Sequence, residues 1–371
     1  MYDAIIVGAG PAGSTAARLL AKAGQHIALV EKAEFPRRKV CGEYISAATL
    51  PLLDACGVGR DFVEMAGPKV SRVAFYAGQT MTDAPLPSGG GRALGREHLD
   101  TLLRDAAVAA GAKLYQPAEL LTLRRIDGVH VAQAGNALIE GRIVIAASGS
   151  WSVKGPFPLE APPYAHDLLA FKAHFRSSKL PDGMMPLLAF PGGYGGMVAC
   201  DAGRTSLSCC IRRDVLAQAR ARHGGRAAEA VLAHIKATTR GAAAALDGAE
   251  ADGAYLSAGP IRPGIRARYK DGIFFTGNLA GEAHPVIAEG ISMAIQSSAL
   301  LAQILIAEPD AQIAGARYAR EWRRRFAPRL HAATLFAHAA MHHPSRVLAA
   351  TLVTLFPGLL TFGAKLAGKA A

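Results

Sequence analysis

The sequence predicts an α/β fold: a parallel-sheet domain interrupted along the chain by an inserted antiparallel sheet, followed by a helical C-terminus. Three observations predict it. The first 31 residues read as a strand, a helix and a second strand. Residues 166–213 alternate between apolar and polar as an antiparallel sheet does. Near residue 273 a short apolar strand and a long helix return. Two similar ends around a different middle indicate a discontinuous domain with an insertion.

The N-terminal unit has the order strand, glycine-rich turn, helix, strand. Tyr2–Val7 is apolar and β-branched, as a buried parallel strand is. Ser14–Ala23 is rich in Ala and Leu, and Gly24 ends the helix. His26–Val30 forms the second strand, with Glu31 at its end. This arrangement predicts a βαβ unit that binds a dinucleotide.

The turn between the first strand and the helix has the glycine spacing that a pyrophosphate needs. Gly8 permits the tight turn, Gly10 lets the backbone approach the phosphates, and Gly13 lets the helix pack close to the strand. Pro11 and Ala12 lie between the first two glycines and the helix, whose positive N-terminus faces the phosphates. Glu31 stands 23 residues after Gly8, where it is placed to bond ribose hydroxyls.

The composition describes a globular chain of 371 residues, with 51% hydrophobic and 19% charged residues. Five cysteines without a CxxC pair indicate reduced thiols, and the chain opens on the nucleotide-binding strand with no signal peptide. We therefore expect a cytoplasmic protein. Residues 317–371 contain nine basic residues and one acid, and so carry eight of the twelve net positive charges. This local charge favours an anionic membrane surface over nucleic acid as the binding partner. The alternative is that the basic residues form the solvated face of a helix.

The remaining elements follow from periodicity and turn residues. Helices are predicted over Ser46–Cys56, Arg96–Ala110, Arg220–Leu246, Gly290–Ile306 and Arg317–Phe326, and strands over Val70–Ala84, Ala112–Tyr115, Val129–Gln133, Ile143–Ala147 and Ile273–Thr276.

A second glycine-rich signature lies far downstream. Gly277–Pro285 and Glu289–Ser292 follow a strand and open a helix. With Arg96, Leu99-Asp100 and the loop Lys39–Glu43, this stretch resembles the flavoprotein superfamily of aromatic hydroxylases, geranylgeranyl reductases and flavin-dependent halogenases. The resemblance implies FAD as the cofactor, a glutathione-reductase-type FAD half and an inserted substrate sheet. Its implied FAD-binding residues, together with those of the first turn, are Gly8, Gly10, Pro11, Ala12, Gly13, Glu31, Lys32, Lys39, Cys41, Gly42, Arg96, Gly277, Asn278, Pro285, Gly290 and Ile291.

On this basis the domains divide as follows. The FAD-binding domain takes residues 1–69, 93–155 and 262–310, the substrate domain takes 70–92 and 156–261, and the C-terminal helical segment takes 311–371.

Three departures from the family pattern bear on the reaction. Asn278 stands where the family has an aspartate. Ser148-Gly149 stands where the hydroxylases have Asp-Gly, so the electron source is either NADPH or a separate reductase. The middle sheet keeps Tyr194 but lacks the tryptophan that reductases and halogenases carry. We therefore predict a monooxygenase of an apolar aromatic, phenolic-lipid or polyketide substrate. The alternatives are a reductase of C=C bonds in a prenyl or polyketide chain, a halogenase, the least favoured, and a flavin-binding protein without catalysis.

Three side chains are candidates for the chemistry. His284 could carry a proton, or be a loop histidine bonded to backbone. Cys41 could be a proton donor near the flavin or a small packing residue, and Tyr194 could hold a polar end of substrate or belong to the core. No metal site is predicted, because the C-terminal histidines have no acid or cysteine nearby in the sequence.

The C-terminus contains an uncharged run, Val347–Gly363, interrupted by Pro357. Seventeen residues are at the lower limit for a spanning helix, and the proline argues against a straight crossing. We expect a helical pair that closes over the substrate cavity or dips into the surface of a bilayer.

Overall fold

The computed structural model describes residues 1–87, 90–150, 157, 164 and 166–369, and it confirms the predicted α/β class. The described helices are α1 (Pro11–Lys22), α2 (Leu50–Ala55), α3 (Gly59–Met65), α4 (Arg96–Ala109), α5 (Arg213–His223), α6 (Ala227–Thr238), α7 (Arg240–Ala245), α8 (Gly290–Ala307), α9 (Ala311–Met341), α10 (His343–Leu355) and α11 (Gly358–Leu366).

The described strands form two large sheets and two small ones. They are β1 (Tyr2–Val7), β2 (Ile27–Val30), β3 (Tyr44–Ser46), β4 (Arg72–Ala77), β5 (Thr80–Pro85), β6 (Gly91–Ala93), β7 (Lys113–Tyr115), β8 (Leu120–Ile126), β9 (Val129–Ala134), β10 (Ala137–Ala146), β11 (Leu168–Arg176), β12 (Met184–Phe190), β13 (Gly193–Ala199), β14 (Thr205–Arg212), β15 (Glu250–Ala251), β16 (Leu256–Ile261), β17 (Gly264–Ile265), β18 (Tyr269–Lys270), β19 (Ile273–Phe275) and β20 (Gly281–Glu282).

The first sheet has a parallel core in the order β19-β10-β1-β2-β7, with β18 antiparallel on β19 and the β8–β9 hairpin antiparallel on β10. Its central strand is buried on both faces, as Ile5 and Ile6 show. One face packs on α1, α8 and α9, whose alanines let the helices approach closely. Strands from the start, middle and end of the chain therefore meet in one sheet.

The second sheet has the order β15-β11-β14-β13-β12-β4-β5, with β16 paired to β11. Its pairings are antiparallel except β4 with β12. One face is covered by α5, α6 and α7, around Phe190 and Ile235. The other face, which carries Tyr194 and Cys210, contacts α9 and α10. The sheet draws strands from 72–85 and 168–261, and the predicted boundary at 155 lies outside the described residues.

Two helix predictions were wrong in detail. The first part of Ser46–Cys56 is not helical: Tyr44–Ser46 pairs antiparallel with Gly91–Ala93, a short 3₁₀ turn follows, and α2 begins only at Leu50. A partner strand distant in sequence overrides local helix signals here. The basic helix around 317–326 is part of a helix of 31 residues, which continues through Pro328.

The uncharged C-terminal run forms two helices that break at Phe356–Pro357 and bend by 114°. Among the described residues, α8 is the single helix that is long and apolar enough by itself to cross a membrane, and 72% of it is buried inside the protein. Its contacts with α1 and the first sheet identify it as a core helix.

Candidate functional site

A cavity of about 350 Å³ lies where the carboxyl ends of β1, β2 and β10 meet the inner face of the second sheet. In open α/β sheets, ligands bind at this end of the strands. The structure brings nearly all of the sequence-predicted site residues to its wall: Gly8, Gly10, Pro11, Ala12, Glu31, Lys32, Lys39, Cys41, Gly42, Arg96, Tyr194, Gly277, Asn278, His284, Pro285, Gly290 and Ile291. Gly13 is the exception, because it lies behind the wall.

The first glycine turn has no room for side chains where the chain doubles back. Gly8 has a φ of 105°, and a Cβ on it would lie 2.6 Å from the carbonyl oxygen of Ala147. A Cβ on Gly13 would lie 1.8 Å from the carbonyl oxygen of Gly8. Gly13 therefore sets the distance between α1 and β1. Gly10 is the N-cap of α1, so the helix N-terminus opens on the cavity.

Glu31 lies in the cavity wall with its carboxylate held by backbone groups. It accepts hydrogen bonds from the N–H of Ala9 at 2.9 Å and of Ala33 at 3.0 Å. Arg37 stands 3.5 Å away. The carboxylate thus lies beside the glycine turn, and its bond to a ribose stays a prediction.

Three cations gather beside Gly10. Arg96 makes a two-pronged ion pair with Asp100, at 2.6 and 2.8 Å, and Arg37 lies 3.5 Å from the same carboxylate. Burial, and then repulsion from Arg37 and Arg96, lowers the pKa of the Lys39 ammonium. The buried Nε of Arg37 has no hydrogen-bond partner among the described residues. This excess of positive charge at a helix N-terminus fits an anionic group such as a pyrophosphate.

The second glycine turn carries an acid that sequence reasoning missed. Gly277 has a φ of 60°, and Asn278 donates to the hydroxyl of Ser150 and to Glu282, both at 3.0 Å. Ser150 donates to the same Glu282 oxygen at 2.5 Å. Burial raises the pKa of Glu282, and these hydrogen bonds together with the charge of Arg266 oppose the shift. A buried carboxyl group thus lies four residues after Asn278, in contact with its side chain.

A buried ion cluster joins the loop Lys39–Glu43 to the second sheet. Glu43, in a left-handed conformation with φ 62°, pairs with the ammonium of Lys172 and accepts from His174 Nε2 at 2.7 Å. Burial alone would raise the pKa of Glu43, but His174 and Lys172 hold it at about 2. The guanidinium of Arg38 lies 2.9 Å from His174 Nδ1, on the side of the ring away from Glu43. The lysine and histidine were not predicted; charged side chains at alternate positions of an apolar strand were the available signal.

Tyr194 and His284 form the polar corner of the cavity. The phenolic oxygen lies 2.9 Å from His284 Nδ1, and both side chains are buried. Burial, and then the neighbouring His338, lowers the pKa of His284 to about 4. Burial also raises the pKa of Tyr194 well above 10. Both groups are therefore neutral near pH 7, and the tyrosine keeps a proton that it can donate.

The exposed His338 on α9 lies beside His284. Its ring lies edge-on to that of His284, with centroids 6.2 Å apart.

Apolar side chains line much of the wall next to Tyr194, together with Ser208 and Cys210, and Cys41 lies in the loop Lys39–Glu43. Ala170, Met185, Leu187, Val198 and Ile261 line this part of the cavity. The thiol of Cys41 accepts a weak hydrogen bond from the Glu43 N–H at 3.4 Å. Cys209 and Cys210 belong to opposite faces of the sheet, because successive side chains of a strand alternate.

Two groups of side chains bring three possible metal ligands together: Glu43, His174 and Cys200, and separately Glu97, His98 and Asp201. Each group already contains a cationic side chain, because Lys172 pairs with Glu43 and Arg204 pairs with Glu97 and Asp201. Both are accounted for as ion-pair clusters.

Comparison with known proteins agrees with a dinucleotide site. Residues 1–331 match the protein family described as "FAD binding domain". The residues present fit this cofactor: a first turn with no space for a Cβ at Gly8 and Gly13, a second turn at Gly277 with a φ of 60°, a helix N-terminus, and an orphaned guanidinium nitrogen among excess cations.

Two relatives of known activity are reductases. Menaquinone reductase from Mycobacterium tuberculosis is 31% identical over 160 residues, which is 41% of this chain and 39% of the relative. The chain thus matches about two fifths of that protein's length. Digeranylgeranylglycerophospholipid reductase 1 from Methanopyrus kandleri is 26% identical over 358 residues, or 88% of this chain and 87% of the relative.

Among solved structures, the flavin-dependent brominase Bmp2 has the same fold, with a TM-score of 0.78. The similarity covers 99% of this chain and 93% of the brominase at 17% identity. At that identity the likeness concerns the fold.

Proposed function

The chain belongs to the FAD binding domain family and is an FAD-dependent oxidoreductase, and we propose that it reduces a carbon–carbon double bond in a long apolar substrate. The observation that carries the proposal is the Tyr194–His284 pair, a buried proton source beside the apolar side chains of the second sheet in the cavity that the FAD-binding residues line.

Reduction of a double bond needs a hydride at one carbon and a proton at the other. Bound FAD supplies the hydride in its reduced form. With its hydrogen on Nδ1, His284 donates to the tyrosine oxygen, and the phenolic hydrogen, which also lies beside the thiol of Cys210, would go to the substrate carbon. The tyrosine then recovers a proton from His284. Cys41 is a second protic group in the wall and a competing donor.

The residues that hold FAD are assigned by their placement. Gly8, Gly10 and the cations Arg37, Lys39 and Arg96 would hold the pyrophosphate. Asn278 and Glu282, in the second turn, would bond the ribityl hydroxyls. The N-terminus of α8, at Gly290, would stabilise negative charge on the reduced ring.

The named relatives support a reductase. Both act as reductases on lipid-like molecules by name, one on menaquinone and one on a digeranylgeranylglycerophospholipid. The missing tryptophan, which led the sequence to favour a monooxygenase, leaves Tyr194 in place as the polar group of that strand.

Hydroxylation is the second candidate, favoured by the apolar wall around Met185, Leu187 and Val198, because oxygen transfer from a flavin requires exclusion of water. Halogenation is less well supported. It would need a free lysine near the substrate, and the buried Lys172 is held by Glu43.

One experiment separates these reactions. Bound FAD is photoreduced without oxygen and mixed with a geranylgeranyl glycerolipid or with menaquinone. A double-bond reductase reoxidises the flavin at once and yields a product with two more hydrogens. A hydroxylase reoxidises only when oxygen is admitted and adds one oxygen atom, and a protein that only holds flavin shows neither. Anaerobic bleaching of FAD by NADPH, against bleaching by a separate reductase, identifies the electron source.

The role of the tyrosine is tested by Tyr194→Phe, which keeps the ring and removes the proton. Loss of a general acid lowers turnover by about 10²–10⁴-fold. Cys41→Ala is the matched comparison: if it has that effect and Tyr194→Phe does not, the thiol is the donor.

A further inference from the structure

The C-terminal helices leave large apolar side chains in water. We call this set the apolar face: Leu335 and Phe336 of α9, with Val347, Leu348, Leu352, Leu355, Phe356, Leu359, Phe362 and Leu366 of α10, α11 and the bend between them. At the bend, Leu355 is 65% exposed and Phe356 is 61% exposed. A contiguous apolar surface of this kind marks a site of contact with a protein or a membrane.

The shape of the apolar face suits the surface of a bilayer rather than its interior. Helices α10 and α11 have 13 and 9 residues, against about 20 for a span, and they bend by 114° at Pro357. A bent amphipathic pair with apolar side chains outward can lie in the boundary between headgroups and acyl chains.

A row of positive charge continues from the apolar face along α9. Arg317, Arg320 and Arg324 follow at intervals of three and four residues, and all three are exposed. The same spacing leads on to Leu335, so the arginines and the start of the apolar face share one side of the helix. Glu321 pairs with Arg324 at 2.9 Å and is the one acid between residues 317 and 371. Cations next to an exposed apolar surface complement anionic lipid headgroups.

The inner side of the same helices closes the cavity. Leu360 and Ala364 of α11 pack in one cluster with Met185 and Val198. Those two residues line the cavity. One helix layer therefore separates the cavity from whatever covers the apolar face.

We propose that the apolar face and the arginine row dock this protein on an anionic lipid bilayer, with the α10–α11 bend in the headgroup region. The cavity then takes its apolar substrate from the lipid phase across α11, a part of the proposal that rests on the proposed function.

Flotation of the FAD-loaded protein with vesicles tests the docking without any turnover, because bound flavin is the label. Vesicles of phosphatidylglycerol and phosphatidylcholine should carry the protein, and pure phosphatidylcholine vesicles should carry much less. Leu355→Asp with Phe356→Asp should abolish flotation. Leu121→Asp with Leu138→Asp is the matched control, because both leucines are exposed, by 57% and 70%, on the β8–β10 side of the first sheet.

Charge is tested separately with Arg320→Glu and Arg324→Glu. Each basic residue near an anionic surface contributes about fivefold in affinity, so the double variant should bind at least about 25-fold more weakly. Arg124→Glu with Arg125→Glu, two exposed arginines of β8, should bind like the wild type.

Two results would overturn the proposal. One is flotation that is reduced neither by Leu355→Asp with Phe356→Asp nor by Arg320→Glu with Arg324→Glu. The other is a dimer that Leu355→Asp with Phe356→Asp dissociates while vesicles bind neither form, since a second copy would then cover the apolar face. Failure of the proposed reaction leaves flotation intact, and failure of docking leaves turnover of a detergent-dispersed substrate intact, so the two are distinguishable.

Discussion

At the residue scale, the buried cluster of Glu43, Lys172 and His174 shows how the loop beside the flavin site is fixed. A buried charge is tolerated when an opposite charge and hydrogen bonds satisfy it. Here one carboxylate serves two partners of β11, which hold the loop against the second sheet. The cluster thereby joins this loop to the second sheet at the edge of the cavity.

Replacement of this carboxylate should destabilise the protein strongly. Glu43→Gln leaves the Lys172 ammonium buried without a counter-ion, a loss of about 3–5 kcal/mol in the free energy of unfolding. Urea unfolding at pH 7 measures it. Glu140→Gln, at an exposed position of β10, should lie within about 0.5 kcal/mol of the wild type. An unchanged midpoint for Glu43→Gln would show that the cluster contributes no stability.

The carboxylate of Glu43 should also make the free energy of unfolding depend on pH in the acid range. Its pKa is about 2 in the folded protein and about 4.3 in an unfolded chain, so its contribution is complete above pH ~4.3 and is lost as the pH falls towards 2. The contribution amounts to roughly 3 kcal/mol. The stability difference between wild type and Glu43→Gln should therefore shrink between pH 4.5 and 2, a window set by the two pKa values.

His284 predicts a second pH dependence in a higher window. Its pKa is about 4 when folded and about 6.5 when unfolded, so the unfolded chain binds more protons between these values and stability falls as the pH falls. The slope is about 1.4 kcal/mol per pH unit. His284→Gln keeps a hydrogen bond for Tyr194 but cannot titrate, so its curve should be flatter by that amount. Parallel curves would contradict a depressed pKa.

At the element scale, α1 is positioned by a glycine that touches no ligand. Gly13→Ala would drive a methyl group into the carbonyl of Gly8, so α1 must move away from β1. Overpacking of this kind costs about 1–3 kcal/mol or more, and the shifted turn should also weaken FAD binding. Thermal unfolding and flavin titration measure the two effects. Gly290→Ala is the control for the unfolding measurement, because no atom lies within 4 Å of the added methyl group.

Local patterns predicted the elements whose cause is local. The first βαβ unit and the amphipathic helix α4 lie where periodicity put them. The error at Ser46 has a cause that is not local: its backbone pairs with β6 and its hydroxyl bonds Glu289 at 3.2 Å. The helix predicted over Arg317–Phe326 likewise continues through Pro328, because tertiary packing holds Phe326 and Leu330 in the core.

The residues of the site could likewise be predicted where their cause is local. The glycine turns could be predicted from the sequence because the backbone geometry requires glycine there, and both turns line the cavity. Lys172, His174 and Glu282 were missed because their partners are distant in sequence or in an irregular turn. The position of His338 next to His284 could not be predicted, because only the packing of α9 brings the two rings together.

At the scale of the whole molecule, the end of the chain is tied to the cofactor region. Lys369 Nζ lies 2.8 Å from Glu289, and both side chains are buried. Glu289 also accepts from Ser46 and precedes α8, whose N-terminus opens on the cavity. The C-terminal helices are thereby anchored on both sides of the cavity, at α11 by apolar contacts and at Lys369 by charge.

A double-mutant cycle on this anchor tests whether the molecule depends on it. Lys369→Met strands the Glu289 carboxylate in the interior and should cost about 3–5 kcal/mol, whereas Lys369→Met with Glu289→Gln should recover much of that loss. The exposed pair Lys179–Asp247, at 64% and 69% side-chain exposure, is the control and should couple much more weakly. If the two cycles give equally weak coupling, the C-terminus is held by apolar packing alone.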